Sequence, residues 1–184
     1  SRFTNNGDAI YSPSGKLFIE NNLFSNSGEI DIRCCGSPVI RNNTMQQDTV
    51  IPYSDAILWF IRSSSPIEYN TFINYEIGVY ITSDGYAYVQ YNTFIGNRAG
   101  VGIGSARTQY INYNDFIDCE YNIGISNSIE ADQPNCNYNY YGTSSTDQSV
   151  VSQQMLDICG GQSLGMYWWS FALCAMVSRN VCYG

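Results

Sequence analysis

Apolar, amide and aromatic residues return at matching positions along most of the chain. The segment SPIEYNTFIN at 65–74 is followed by AYVQYNTFIGN at 87–97 and by TQYINYNDFID at 108–118. Each repeat contains an apolar residue, then Tyr or Asn, an Asn, and an aromatic residue or Met. The recurring Asn residues are Asn22, Asn43, Asn70, Asn92, Asn114 and Asn139. A period of about 20 to 50 residues predicts a solenoid.

A second apolar block follows each aromatic position. These blocks are short, alternating and rich in β-branched residues, so they predict strands. They contain Ile10, Ile30, Ile32, Ile57, Val79, Ile81, Val101, Ile103, Ile123 and Ile125. Gly, Asn, Ser and Thr interrupt every segment, which argues against helices.

A single repeat of this kind cannot bury its apolar face, so parallel stacking of the coils is expected. Stacking predicts a buried ladder of Phe72, Phe94 and Phe116. Asn is expected to turn the chain at each corner, because its amide tolerates a left-handed backbone and can bond the Asn of the next coil. A corner stack of tyrosines is assigned to stability rather than to binding: Tyr69, Tyr91, Tyr113 and Tyr138.

These repeats resemble the right-handed parallel β-helix repeat family, the pectate-lyase-like superfold, over nearly the whole chain. The closing segment NYNYYGTSSTDQSVVSQQMLDICGGQSLGMYWWSF resembles the end-piece of many such proteins. The resemblance implies an all-β, right-handed, single-stranded parallel β-helix of about six to seven coils, with a short helix and a disulfide-rich C-terminal cap. We expect the coils over 1–145 and the capping segment over 146–184. The repeat predicts fold far better than function.

Composition and charge fit an extracellular or cell-surface β-rich module. The 184 residues are 44% hydrophobic and include sixteen acids, eight bases and no His, with a net charge of −8. No basic stripe is available for nucleic acid, which is therefore not expected as a partner. The opening SRFTNN matches NLFSNS at 22–27, so we expect the chain to begin within a coil and to be part of a longer protein.

The most apolar run, residues 164–177, is shorter than the roughly 20 residues that span a bilayer. No membrane span is expected, and we interpret this run as the hydrophobic cap of the solenoid. The alternative is that it docks on a membrane or a partner. An uncapped β-helix end would expose strand edges and favour polymerisation.

Seven cysteines are disulfide candidates, and their odd number leaves one free thiol or an intermolecular bond. They are Cys34, Cys35, Cys119, Cys136, Cys159, Cys174 and Cys182. The alternative is a set of buried free cysteines in a reducing compartment. No C-x-x-C pair and no His occur, so neither a metal site nor a cofactor is predicted. Asn42 begins the sequon Asn42-Asn43-Thr44 and is a glycosylation candidate, unless it is only a corner residue.

Catalytic residues are not predicted, although the enzyme question stays open. Hydrolases of the resembled family carry Asn-Thr-Asp, Asp-Asp, Gly-His-Gly and Arg-x-Lys segments, and none of the four occurs here. Lyases of that family use clustered acids to hold calcium, with Arg or Lys as base. The nearest match is Glu29, Asp31 and Arg33, joined by Asp8 and Asp55 if these lie on neighbouring coils.

Outward aromatic columns favour binding instead. The candidates for contact with a protein or a carbohydrate are Tyr11, Leu58, Phe60, Tyr80, Tyr88 and Tyr110. Aromatic rings beside amides and carboxylates suit sugars and protein interfaces alike, although tyrosines are also common on β-sheet surfaces. We therefore predict a non-catalytic extracellular structural or recognition module, self-associating or bound to another extracellular protein within a surface or filamentous assembly. The alternative is a carbohydrate-binding or carbohydrate-active β-helix resembling a polysaccharide lyase or hydrolase.

Overall fold

The chain folds as a right-handed parallel β-solenoid, and the predicted fold class is confirmed. A computed structural model describes residues 1–13, 17–33, 36–59, 62–83, 86–105, 109–125, 135–136, 138–140 and 155–157. These residues form about five turns. The predicted six to seven coils include repeats that lie partly outside the described residues.

The described strands all pair in parallel with the equivalent strands of the coils above and below. Their bounds are β1 (Arg2–Thr4), β2 (Ile10–Ser12), β3 (Phe18–Glu20), β4 (Leu23–Ser25), β5 (Ile30–Ile32), β6 (Val39–Arg41), β7 (Thr44–Trp59), β8 (Arg62–Glu68), β9 (Thr71–Ser83), β10 (Tyr86–Gln90), β11 (Thr93–Ile95), β12 (Ala99–Ser105), β13 (Tyr110–Asn112), β14 (Asp115–Ile117), β15 (Tyr121–Ile125) and β16 (Met155–Asp157).

The strands make three faces around one core. Face 1 has the order β13-β10-β8-β6-β3. Face 2 contains β1, β4, β11, β14 and the first residues of β7 and β9, whereas face 3 contains β2, β5, β12, β15, β16 and the last residues of β7 and β9. The long strands β7 and β9 turn the corner between faces 2 and 3, which joins both faces in one hydrogen-bonded sheet.

The predicted Phe ladder is confirmed as the interior of face 2. Phe94 lies between Phe72 and Phe116, with ring centroids 4.9 and 5.0 Å away and the rings nearly parallel. All three rings are buried. The apolar residues of face 1 form the opposite wall of the core: Ile19, Ile40, Ile67, Val89 and Ile111.

The corner Asn residues form a continuous buried ladder, but they do not make the turn as predicted. The left-handed backbone lies one residue earlier, for example at Tyr69 and Tyr91, both with φ of 56°. Asn70 and Asn92 instead point inward and hydrogen bond to the next coil. The inward amide forms hydrogen bonds with buried backbone groups. The exposed residue before it therefore adopts the left-handed conformation that turns the chain. The predicted tyrosine stack occurs there, with centroids 5.0 to 5.1 Å apart.

Part of the predicted cap is described and corrects the helix prediction locally. Met155–Asp157 form strand β16, which pairs in parallel with β15, so these three residues extend face 3. Ile123, Gly124 and Ile125 are their partners. The remainder of 141–184 lies outside the described residues, and the domain boundary at 145/146 stays a prediction.

Candidate functional site

One outward column of face 3 combines three predicted binding residues with an acid. Register pairs Tyr11 with Asp31, Asp31 with Leu58, and Leu58 with Tyr80. We call these four residues the outer column. Tyr11 is 57% exposed, whereas Leu58 and Tyr80 are half-buried. Asp31 separates Tyr11 from Leu58, so the apolar residues of this column are not continuous. Phe60 lies outside the described residues.

Asp31 is almost completely buried at this position. Its side chain is 5% exposed, and its Oδ2 lies 2.7 Å from Nε of Arg33. The Arg33 guanidinium lies over the Tyr11 ring, 5.8 Å from its centroid. Within the described residues, two buried side-chain atoms have no hydrogen-bond partner, Asp31 Oδ1 and Thr82 Oγ1, and both belong to face 3. An unpartnered buried oxygen of this kind is costly unless a ligand satisfies it.

Four further acids lie on the coil of Asp31 and on neighbouring coils of the solenoid, and we call the five together the acidic row: Asp8, Glu29, Asp31, Asp55 and Glu76. Partial burial raises the pKa of Glu29, with repulsion from Asp31 and Asp8 adding to the shift. Burial also raises the pKa of Asp55 to about 7, with added repulsion from Glu29 and Glu76. Asp8 and Asp55 lie on the two coils that adjoin the coil of Glu29, which meets the condition set in the sequence analysis. At the centre of the row, acidic side chains therefore outnumber basic ones.

Towards the C-terminal coils, a basic residue compensates the negative charge of the acids. Arg98 pairs with Glu76, and its Nε also lies 3.7 Å from Glu120. Arg98 follows Glu76 by one coil and precedes Glu120 by one coil, so charges of opposite sign alternate along the solenoid here. Glu29, by contrast, has Arg33 as the one cation among its electrostatic partners in the described chain, and the electrostatic partners of Asp55 there are the acids Glu29 and Glu76.

A bulge within strand β7, next to the acidic row, was missed by the sequence reasoning. Nine positions separate Gln46 from Asp55, whereas four separate their partners Ile73 and Ile77, so this coil contains five extra residues. The signal was the spacing of 27 residues from Asn43 to Asn70, where the following coils have 22. We call the bulged segment of β7 at residues 48–53, with the sequence DTVIPY, the apolar loop.

The apolar loop exposes its hydrophobic side chains while its base is held in place. Val50 is 39%, Ile51 49% and Tyr53 98% exposed. Tyr53 has a left-handed φ of 61°, which is uncommon for an aromatic residue. Asp48 accepts a hydrogen bond from Nδ2 of Asn26 at 2.8 Å and donates its backbone N–H to Oδ1 of Asn26 at 2.9 Å.

The two other predicted binding residues lie on a different face. Tyr88 and Tyr110 are neighbours in the outward column of face 1, which also contains Phe18, Val39 and Pro66. The rings of Tyr88 and Tyr110 stack at 4.6 Å. Their facing ring surfaces are covered by each other, and the two predicted outward sets lie on separate faces of the solenoid.

Two other predicted site residues, Asn42 and Cys119, lie within the described part of the chain. Asn42 is exposed at a corner with φ of 54°, which suits an accessible sequon, and its glycosylation stays a prediction.

Cys119 is a thiol whose Sγ lies 3.6 Å from the carbonyl oxygen of Phe94. In the preceding coil Nδ2 of Asn97 donates a hydrogen bond to the carbonyl oxygen of Phe72. Cys119 therefore occupies the position that Asn97 occupies one coil earlier. Burial raises the pKa of Cys119.

The remaining disulfide candidates are described only in part. Cys136 is buried in the core. Cys34, Cys35, Cys159, Cys174 and Cys182 lie outside the described residues, and disulfide pairing stays a prediction.

Comparison with known proteins identifies the family. A family model described as "Periplasmic copper-binding protein (NosD)" matches residues 2–160, which is most of the chain, so the chain belongs to this family. It is a parallel β-helix family, in agreement with the fold. No curated protein and no solved structure gives a significant match. Among the described residues there is no helix long and apolar enough to cross a membrane.

Proposed function

We propose that this member of the NosD family is a non-catalytic recognition module that works outside the cytoplasm and docks on another protein through the apolar loop. The family description names the periplasm, which supports this location. The β-helix then acts as a rigid scaffold that presents the loop and the neighbouring outer column of face 3.

The exposure of the apolar loop is the observation that supports this function best. Tyr53 is 98% exposed beside Ile51 and Val50, although side chains of this kind usually avoid water unless they contact a partner. Rigid aromatic side chains are frequent anchors of protein interfaces. Asp48 begins the loop, Asp55 follows it and the chain has a net charge of −8, so the partner surface is an apolar pocket with a basic rim.

Copper, which the family description names, does not fit the described residues. Protein copper sites use imidazole, thiolate and thioether ligands. The chain contains no His. Within the described ranges no group of three or more His, Cys, Asp or Glu side chains is placed to hold a metal ion. The proposed function therefore does not depend on copper.

A mutational comparison tests docking. The double variant Ile51→Ser/Tyr53→Ser removes the apolar side chains of the loop, and Phe18→Ser, at an exposed position on face 1, is the matched control. Cross-linking to extracytoplasmic proteins of the source organism, followed by mass spectrometry, should identify a partner retained by the wild type and the control and lost from the double variant. Equal capture by all three proteins contradicts the proposal.

Self-association is examined in the same samples. Light scattering over a range of concentrations, with and without reductant, identifies a second copy of the chain as the partner if the mass rises for the wild type and not for the double variant. A monomer at all concentrations removes the filament from the proposal and leaves docking on another protein.

Carbohydrate binding is the second candidate, because the exposed Tyr11 is the register neighbour of Asp31 on the adjoining coil. Sugar rings stack on aromatic faces and donate hydroxyl protons to carboxylates. Titration with neutral oligosaccharides against wild type and Tyr11→Ala separates this candidate from protein docking. Incubation with polygalacturonate, with and without calcium, tests the absence of catalysis, and release of unsaturated ends that disappears in Asp31→Ala would overturn it.

A further inference from the structure

We infer that the acidic row binds a primary ammonium group on an alkyl stem, from a free polyamine or from a lysine side chain. The inference is independent of the apolar loop, because it rests on the carboxylates of β5 and of the coils on either side. Three observations support it: an unsatisfied oxygen, a local excess of negative charge, and an apolar border.

The unsatisfied oxygen is Oδ1 of Asp31. Its partner atom Oδ2 is occupied by Arg33 at 2.7 Å, while Oδ1 is buried without a hydrogen bond. A buried carboxylate is stable when its oxygens accept hydrogen bonds from donors, above all from charged donors. The missing group at this position is therefore a donor.

The acids near Asp31 favour a cation as this donor. Burial first, and then repulsion from Asp31 and Asp8, raises the pKa of Glu29, and burial first, and then repulsion from Glu29 and Glu76, raises the pKa of Asp55. Arg33 compensates one of these charges and Arg98 compensates Glu76. A positive ligand would offset the repulsion that Glu29 and Asp55 retain.

An organic ammonium fits this arrangement better than a metal ion. Calcium needs six to eight converging oxygen atoms, and in the described part of the chain no three such side chains converge. The acids are instead distributed along the solenoid, one or two per coil. An ammonium has three donors and needs few acceptors. Leu58, half-buried opposite Asp31, provides an apolar surface for the alkyl stem.

Calorimetric titration with spermidine and with N-acetyl-lysine methylamide tests the inference. We expect dissociation constants of about 1 mM or below for at least one of them. Asp31→Asn and Glu29→Gln should each weaken binding by about tenfold, because each removes a charge-assisted hydrogen bond. The control Asp115→Asn removes an exposed acid of face 2, with the same change in net charge, and should leave the affinity unchanged. Thermal unfolding checks that each variant is folded. If Asp31→Asn does not fold, Glu29→Gln alone tests the inference.

Comparing several ligands distinguishes a free polyamine from a lysine side chain, and both from other cations. Clearly tighter binding of spermidine assigns the site to a free polyamine, and equal or tighter binding of the lysine derivative assigns it to a protein partner. Tetramethylammonium, which has the charge but no N–H donor, should bind more weakly than either. The inference is overturned if neither amine binds at about 10 mM, if Asp31→Asn and Asp115→Asn weaken binding equally, or if calcium binds at these residues and the amines do not.

Discussion

Asn70 donates two hydrogen bonds to a single atom of Asn92, with its backbone nitrogen and its Nδ2 at 2.9 and 3.1 Å from Oδ1. Asn92 repeats the arrangement with Asn114, and its Nδ2 also donates to the carbonyl oxygen of Ile67 at 2.8 Å. The coils are thus connected by side chains as well as by the strand ladders, within a region closed to water.

Replacing Asn92 by Ala should therefore cost about 2 to 5 kcal/mol, since it leaves the N–H of Asn70 and the carbonyl of Ile67 without partners. Urea unfolding measures the loss. Asn21→Gly is the control, because Asn21 is exposed with φ of 57° and Gly accepts that conformation. It should change the free energy of unfolding by less than about 1 kcal/mol. A larger loss in the control would show that the exposed position, and not the buried amide, stabilises the corner.

Phe94→Ala should destabilise the protein by about 3 to 5 kcal/mol, because the rings of Phe72 and Phe116 on adjoining coils are held by their strands and cannot fill the cavity. Phe18→Ala, at a position 59% exposed, should cost less than about 1 kcal/mol. The two values are compared by urea unfolding. Similar costs would contradict the assignment of the Phe ladder to the core.

Gly100→Ala should be destabilising by about 1 to 3 kcal/mol, since a Cβ there would meet the Phe116 ring and would lie 2.8 Å from the carbonyl oxygen of Asn122. The same substitution at Gly7, where a Cβ meets nothing within 4 Å, is the matched control. Thermal unfolding of both variants measures the difference. Equal melting temperatures would show that the corner beside Phe116 is less tightly packed than described.

The pKa of Asp55, raised to about 7 from an ordinary value of 3.8, predicts a pH dependence of stability. The folded state holds the proton more tightly, so its stabilising contribution is complete below about pH 4 and is lost as pH rises through about 7. Wild type should lose about 2 kcal/mol between pH 5 and 8 relative to Asp55→Asn, because a shift of one unit corresponds to about 1.4 kcal/mol and solvent screens part of it. Parallel pH profiles of the two proteins would contradict the raised pKa.

Some features of the protein follow from the order of its residues alone. The recurrence of Asn and Phe at regular intervals predicted the solenoid, the Phe ladder and the outward column of face 1, because a regular coil brings equivalent positions together. The column containing Tyr11, Leu58 and Tyr80 followed in the same way. A parallel solenoid is unusual in this respect, since contacts distant in sequence are set by a simple period.

Other features depend on tertiary structure, because they arise where the period is broken or where distance and burial determine the chemistry. The five extra residues before Asp55 could have been placed in several ways, and folding makes them a loop that exposes Tyr53. The raised pKa values of Glu29 and Asp55 require the separation of charges on different coils and the loss of solvent around them. A period specifies which residues stack, whereas electrostatic energy depends on where each charge lies and how much water remains beside it.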